Sequence, residues 1–376
     1  MRENYTQVDE LYDLRQLMSH NETLRHCAFQ AINFEKSGFP LENYRFEDCL
    51  FMGCIIPPRM YFAMDEACIV LPRVKMPFKV FPSKLYDAHS LYLHYKPGYH
   101  ETFYTCYDTI VYDRYMAMGK ATSNIKETLC RLLHDHSISN AIDQFIADYD
   151  EKDIVAVMGG HAVKRTDPHY RQIVEISKRL TELGKLMVSG GGPGAMEAVH
   201  LGAWMAGRSE AELEDALSLL SGSPTFRDRG WLTSAWTVMD KYPRDPQFHS
   251  LGIPTWFYGH EPATPFASQI AKFFDNSLRE DCVISLPKGG IIYTPGSAGT
   301  FQEIFQDAAQ NHYKTLGFSS PMVFLGKQYY TEETPIYPLL KDLHDRGKYM
   351  NLILNITDDT EEVIHFLLDF HRPYHL

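Results

Sequence analysis

Nowhere along its 376 residues does the chain carry the run of about 20 apolar residues that a membrane-spanning helix needs. Its opening, Met-Arg-Glu-Asn-Tyr-Thr-Gln-Val-Asp-Glu, lacks the apolar centre of a secretory leader, so a cytoplasmic location is expected and no membrane partner. Positive charge is also short: 36 Lys and Arg stand against 48 Asp and Glu, for a net charge of -12. Proteins that bind duplex nucleic acid neutralise phosphates with clustered cations, and this balance argues against that class. A small anionic ligand in one local pocket remains compatible with it. Cysteines are few and scattered: Cys27, Cys49, Cys54, Cys68, Cys106, Cys130 and Cys282 are odd in number and never form Cys-x-x-Cys units. They read as reduced, mostly buried thiols. The pairs His134/His136 and His371/His375 have no cysteine or carboxylate constellation around them, so no metal is expected.

What is present is ordinary globular material, 44% hydrophobic and 22% charged, long enough for two domains. The pattern changes near residue 150. Residues 1–150 hold short aromatic-rich pieces such as "PPRMYFAM" and "SLYLHYKPGYH", then two expected helices over Ser123–His134 and Ser139–Tyr149. Within this part Phe29 and Phe34, Phe46 and Phe51, and Cys49 and Cys54 stand five apart, as in a turn or two of a pentapeptide-repeat coil. Two fragments are too few to stack a solenoid, and the favoured expectation is short strands forming an accessory mixed α/β domain.

Residues 151–376 alternate strand and helix. "DIVAVMGG" (Asp153–Gly160) is a buried strand ending in a glycine turn, and His169–Gly184 has helical apolar spacing with Gly184 as its stop. Lys185–Gly207 repeats strand, glycine turn and helix. Further strands are expected at Ile253–Tyr258, Gly290–Tyr293, Met322–Leu325 and Leu352–Ile356. Helices are expected at Phe266–Arg279, Ala298–Asn311, Pro335–Arg346 and Thr360–Phe370. This alternation predicts a Rossmann-like parallel sheet with helices on both faces and ligands at the C-terminal ends of its strands. Residues 208–250 interrupt it with a helix about Glu210–Leu220 and an aromatic, charged stretch, read as an insert near the site.

Five stretches bear chemistry. In "SGGGPGAMEA" (Ser189–Ala198), Gly191, Gly192 and Gly194 let backbone N–H groups approach a phosphate, and the following helix aims its positive end at the same point. The same glycines would suit a tight turn alone, and the pattern is not a dinucleotide fingerprint. In "PGSAGTFQE" (Pro295–Glu303), Gly296, Ser297, Gly299 and Thr300 are expected to repeat the device on a neighbouring strand, so that two helix N-termini converge on one phosphate. Glu303 falls on the first helical turn, where it either caps the helix or faces whatever the phosphate carries. Arg279, in "FFDNSLRED", closes the preceding expected helix; it either serves that helix dipole or reaches the strand-end cleft, with Glu280 and Asp281 as local salt partners. "MGGHAVKR" supplies Gly160 and His161, with Lys164 and Arg165 as cations, and "YGHEP" supplies His260 and Glu261. Gly160, His161, Met196, Glu197 and His260 are the candidates for contact with a base or ribose.

The motifs GGGPGAMEA and PGSAGTFQE, about 100 residues apart, resemble those of the Lonely Guy family, long mislabelled lysine decarboxylases, which includes nucleotide 5′-monophosphate nucleosidases. The resemblance covers roughly residues 150–376, and residues 1–150 look like the N-terminal extensions of larger bacterial members. Ser297 replaces the second glycine of the family's PGGxGTxxE motif. Arg279 matches the family arginine but stands 24 residues before Glu303, one more than the family spacing, and is followed by Glu280 where the family has lysine.

The resemblance implies hydrolysis of the N-glycosidic bond of a nucleoside 5′-monophosphate to free base and ribose 5-phosphate, with Glu303 and Arg279 catalytic, no cofactor and a homodimer or higher homo-oligomer. Three other readings stand beside it, one of them a phosphoribosyl transferase or a nucleosidase acting on a modified nucleotide, which the motifs leave open. A nucleotide sensor could share the fold without the chemistry. A pyridoxal-phosphate decarboxylase would need a distinguished lysine, and none of Lys164, Lys272 and Lys288 is marked out.

Overall fold

Short strands in the N-terminal part pair side by side in parallel, which a chain of hairpins could not do. The computed structural model describes residues 5–259 and 261–370. They divide into two compact units, Met1–Leu85 with Met118–Ala141, and Tyr86–Ala117 with Ile142–Leu376.

The first unit contains β1 (Thr6–Val8), α1 (Leu11–His20), β2 (Thr23–Arg25), β3 (Cys27–Gln30), β4 (Arg45–Glu47), β5 (Leu50–Met52) and β6 (Ile69–Leu71). Strands β1, β3, β5 and β6 form one parallel sheet and β2 and β4 another, so the chain winds as a short coil. Register places Phe29 opposite Phe51 and Leu24 opposite Phe46. The strands are short, as expected, but the expectation that two fragments are too few to stack is corrected: the five-residue phenylalanine spacing marks a real coil. Phe29, Phe34, Phe46 and Phe51 fill its interior, with Phe29 stacked on Phe51 at 5.0 Å. The thiols of Cys49, Cys54 and Cys68 donate to the carbonyls of Leu24, Phe29 and Phe46 on the preceding coil, each at 3.3 Å. All seven cysteines are free, as expected, and burial pushes the Cys54 thiol up to about 12.

Beyond it come α2 (Ala88–Leu91), α3 (Tyr107–Met118) and α4 (Ile125–Ile146). The last is one continuous helix where two were expected, because Ser137 and Ser139 satisfy their hydroxyls on the carbonyls of Leu133 and Asp135, four residues back, without breaking it.

The second unit is an α/β Rossmann-like fold. In chain order it has β7 (Ile154–Met158), α5 (Pro168–Glu182), β8 (Leu186–Ser189), α6 (Ala195–Trp204), α7 (Glu210–Ser221), α8 (Trp231–Lys241), β9 (Ser250–Gly252) and β10 (Gln269–Ile270). It continues with α9 (Asn276–Ser285), β11 (Gly290–Tyr293), α10 (Ala298–Tyr313), β12 (Pro321–Leu325), α11 (Ile336–Asp345), β13 (Ile353–Thr357) and α12 (Thr360–Phe370). The seven strands are all parallel in the order β10-β9-β8-β7-β11-β12-β13. β7 and β8 are buried along their whole length, as strands covered on both faces must be. Helices flank the sheet in two groups, α5 with α6 and α12, and α9 with α10.

Two elements differ from expectation. The strand expected at Ile253–Tyr258 ends earlier, at Gly252. The helix expected over Phe266–Arg279 is split: Gln269–Ile270 pairs with β9 and bridges Tyr86, and α9 begins only after Asp275, whose side chain accepts from the Ser277 N–H. The segment 208–250 is no loose ornament. Leu213, Leu220, Trp231 and Trp236 are buried in the same core as Val157, Val199 and Ile292. Among the described residues no helix is long and apolar enough to cross a membrane.

Candidate functional site

The chain winds from β7 outward to β10, then returns to place β11 on the other side of β7. That reversal makes a crevice between the C-terminal ends of β7 and β11, where ligands of open α/β sheets are bound. Three turns open on it: Gly159–His161 after β7, Gly190–Gly194 after β8, and Thr294–Gly299 after β11. They line a cavity of about 410 Å³ whose walls include Gly160, His161, Gly192, Met196, Ser297, Gly299, Thr300, Arg279 and Glu303.

Close backbone approach explains the glycines. Gly194 has φ +71 and ψ -129, and a Cβ there would stand 2.6 Å from the carbonyl oxygens of Gly160 and His161. Gly190 has another reason: its missing Cβ leaves space for the Arg279 guanidinium, whose Nη2 would lie 2.3 Å from it. Gly191 and Gly296 serve the turns themselves and do not line the cavity. Ser297 sits at φ -138, extended backbone that any residue adopts, so the family's glycine is not required at this position. Its side chain makes no capping bond to α10, and α6 likewise starts without a side-chain cap. The Ala195 N–H of α6 donates to the Gly160 carbonyl at 3.1 Å, and with no side-chain cap at either start the other first-turn N–H groups of α6 and α10 are left for an anion at the crevice.

Arg279 and Glu303 meet in this cavity. Arg279 lies on the first turn of α9, not at the C-terminal end of a helix as expected, and its Nε donates to the Ile253 carbonyl at 2.9 Å. Its Nη1 stands 2.9 Å from Glu280 Oε1 and 3.6 Å from Glu303 Oε1. Glu303, 7% exposed, has its carboxyl pushed from 4.5 up to about 7; burial dominates, Arg279 opposes it and Glu280 adds to it. One turn on, Asp307 is also raised by burial to about 7, and the Tyr293 hydroxyl donates to it at 2.7 Å.

The remaining candidates lie elsewhere. Glu197 is fully buried and committed to Arg165, with two contacts at 2.6 and 2.9 Å, and to the Tyr170 hydroxyl at 3.1 Å. Arg165 also donates to Ser234 and lies beneath the Trp231 ring, so this pair ties the start of α6 to the 208–250 segment and has no free group for a base or a phosphate. His260 lies outside the described residues. Lys272 is buried against Asp108 at 2.7 Å and Lys288 pairs with Glu151.

Sequence reasoning missed several participants. His200 on α6 is wholly buried, bonded through Nε2 to Ser189 and through Nδ1 to Ser250, and burial lowers its pKa to about 3. Ser189 in turn accepts from the Gly191 N–H at 3.0 Å, so a neutral histidine anchors the glycine loop from below. A lone histidine on an apolar helix gave no signal of this. Tyr258 also lines the cavity, as does Glu261, which the YGHEP stretch offered, and Arg279 is the sole Lys or Arg among the described lining residues. Among the described residues no three His, Cys, Asp or Glu side chains form a group able to hold a metal.

No protein-family model matches the chain, and no curated protein matches it in sequence. Among solved structures, the structural-genomics target TM1055 covers 57% of this chain and 98% of its own, at 17% identity and a TM-score of 0.36. A molybdenum cofactor binding protein from the phototrophic bacterium Rippkaea orientalis covers 58% and 97%, at 14% identity and a TM-score of 0.36. The functional reading rests on the geometry of the site itself: the two loops that resemble the Lonely Guy motifs follow β8 and β11, with β7 between them where neighbouring strands were expected, and residues of both line one cavity.

Proposed function

We propose that the protein is a nucleoside 5′-monophosphate nucleosidase, releasing free base and ribose 5-phosphate. The observation that carries this reading is the convergence of Arg279 and Glu303 in one cavity with two uncapped helix N-termini. Glu261, Glu280 and Glu303 line that cavity against a single arginine, so cationic side chains are a poor means of holding a phosphate there. Backbone N–H groups of the glycine loops and the hydroxyls of Ser297 and Thr300 would carry it instead. Fixing the phosphate supplies binding energy remote from the reacting bond and orients the ribose.

In the reaction the C1′–N bond breaks with its electron pair leaving on the base nitrogen, the oxygen of water bonds to C1′, and the proton that the water loses ends on that nitrogen. Positive charge develops on the sugar, and an ionised Glu303 beside it stabilises that charge or takes the proton from water. A carboxyl poised near 7 is partly ionised at neutral pH, as a general base at that pH should be.

The test is incubation with AMP, GMP, IMP, CMP and UMP in turn, following free base and ribose 5-phosphate by chromatography. Base release from at least one nucleotide is expected, lowered about 100-fold or more in Glu303→Ala and Arg279→Ala. Binding of a nucleotide with no base released from any would overturn the nucleosidase and leave a nucleotide sensor.

A further inference from the structure

Glu280 is the carboxylate that this chain adds to the Arg279–Glu303 pair, and its surroundings are unusual. Its Oε1 takes Nη1 of Arg279 at 2.9 Å, with the Asn276 amide at 3.4 Å and the Tyr258 hydroxyl at 3.5 Å as longer contacts. Its Oε2 is closed to water and has no hydrogen-bond partner. Glu280 is 4% exposed, so Arg279 is its principal compensation, and losing one partner of a buried ion pair is far costlier than the pair is stabilising. The same Nη1 faces Glu303 at the longer distance of 3.6 Å. The Ile253 carbonyl holds Nε, and the guanidinium lies over Gly190, so the group cannot slide towards Glu303 without abandoning Glu280.

We propose that Glu280 is a positioning residue: it retains Nη1 of Arg279 and so prevents the guanidinium from closing on Glu303, leaving Glu303 free to exchange a proton with the ligand. The inference deepens the nucleosidase reading and rests on it for its catalytic consequence. Its physical core is a competition of two carboxylates for one N–H group. Removing the charge of Glu280 acts on Glu303 in one direction twice over. The neighbouring negative charge that raises the Glu303 pKa disappears, and Arg279, which lowers it, is released to approach. The other groups around Glu303 stay as they are: Tyr293 from β11, Tyr330 from the segment after β12, Asp307 on α10 itself, and His161 and Glu261 across the cavity.

The experiment titrates the full chain carrying carboxyl-13C glutamate by NMR, with Glu303→Gln identifying the Glu303 signal, and records the pH profile of base release in parallel. In E280Q the Glu303 midpoint is expected to fall by about one pH unit, and the acid limb of the profile with it. Glu280→Ala carries the same expectation, so that a folding defect in one variant does not decide the matter. Glu280→Asp, which restores the charge, should return the midpoint towards the wild-type value. An unmoved midpoint in E280Q and Glu280→Ala, or an equal fall in Glu280→Asp, overturns the inference while base release by the wild type keeps the nucleosidase reading. A midpoint that falls as expected in a protein releasing no base supports the positioning role and overturns the nucleosidase.

Discussion

Replacing Glu303 by glutamine should make the protein more stable at alkaline pH while removing the proposed nucleosidase activity. The carboxyl titrates at 4.5 in ordinary surroundings and at about 7 in the fold, chiefly because burial disfavours its charged form. Below pH 4.5 it is protonated in both folded and unfolded chains. Between 4.5 and 7 the folded chain keeps a proton that the unfolded chain releases, so stability falls as pH rises, and the loss is complete above the folded value. Each pH unit of that gap corresponds to about 1.4 kcal/mol, giving a loss of about 3 kcal/mol between pH 4.5 and pH 8. The glutamine side chain of the variant has no proton to lose and escapes this contribution, while Asp307 titrates alike in both proteins and cancels. The assay is urea unfolding at pH 5 and pH 8, followed by tryptophan fluorescence. It reports on the right part of the molecule, because Trp204, Trp231, Trp236 and Trp256 all lie in the Rossmann-like unit. The expected result is a stability difference, variant minus wild type, that grows by about 2.5 kcal/mol from pH 5 to pH 8. A difference that does not change with pH would refute the claim that burial raises the Glu303 carboxyl towards neutrality, and with it the proposed general-base role.

Gly194→Ala would place a Cβ 2.6 Å from two carbonyl oxygens at a backbone angle of φ +71. A loss of about 3 kcal/mol in stability is expected, with nucleotide affinity falling in parallel as the Gly160–His161 turn is displaced; differential scanning calorimetry and equilibrium dialysis check the two effects. In the coil, Phe51→Ala removes a fully buried ring packed on Phe29 at 5.0 Å and on Phe46 at 5.5 Å. Such a deletion costs about 3–5 kcal/mol, and limited proteolysis should reveal new cleavage sites between residues 5 and 85.

What could be read from sequence divides along physical lines. The turns at Gly160, Gly190–Gly194 and Gly296–Thr300 were readable because each follows a short apolar run such as Ile154–Met158, and a glycine-rich junction there constrains the backbone locally. The helix before Arg279 was misplaced because residues 266–279 carry helical apolar spacing, yet Gln269–Ile270 gains a strand partner in β9 and another in Tyr86, contacts set by residues far away in the chain. The coil was undervalued for a related reason. Its repeating contact is between residues 22 apart, as in Arg25 with Glu47, and only a few positions per turn keep a phenylalanine or cysteine to mark it. Glu197 shows the limit most clearly. It follows a phosphate-type loop and invites a ligand role, but a buried carboxylate must first be compensated, and Arg165, 32 residues earlier, satisfies it completely. Glu303 has the opposite balance. Its arginine is shared with Glu280 and stands 3.6 Å away, so its charge is under-compensated, and that deficit separates a carboxylate available for chemistry from one that only holds the fold together.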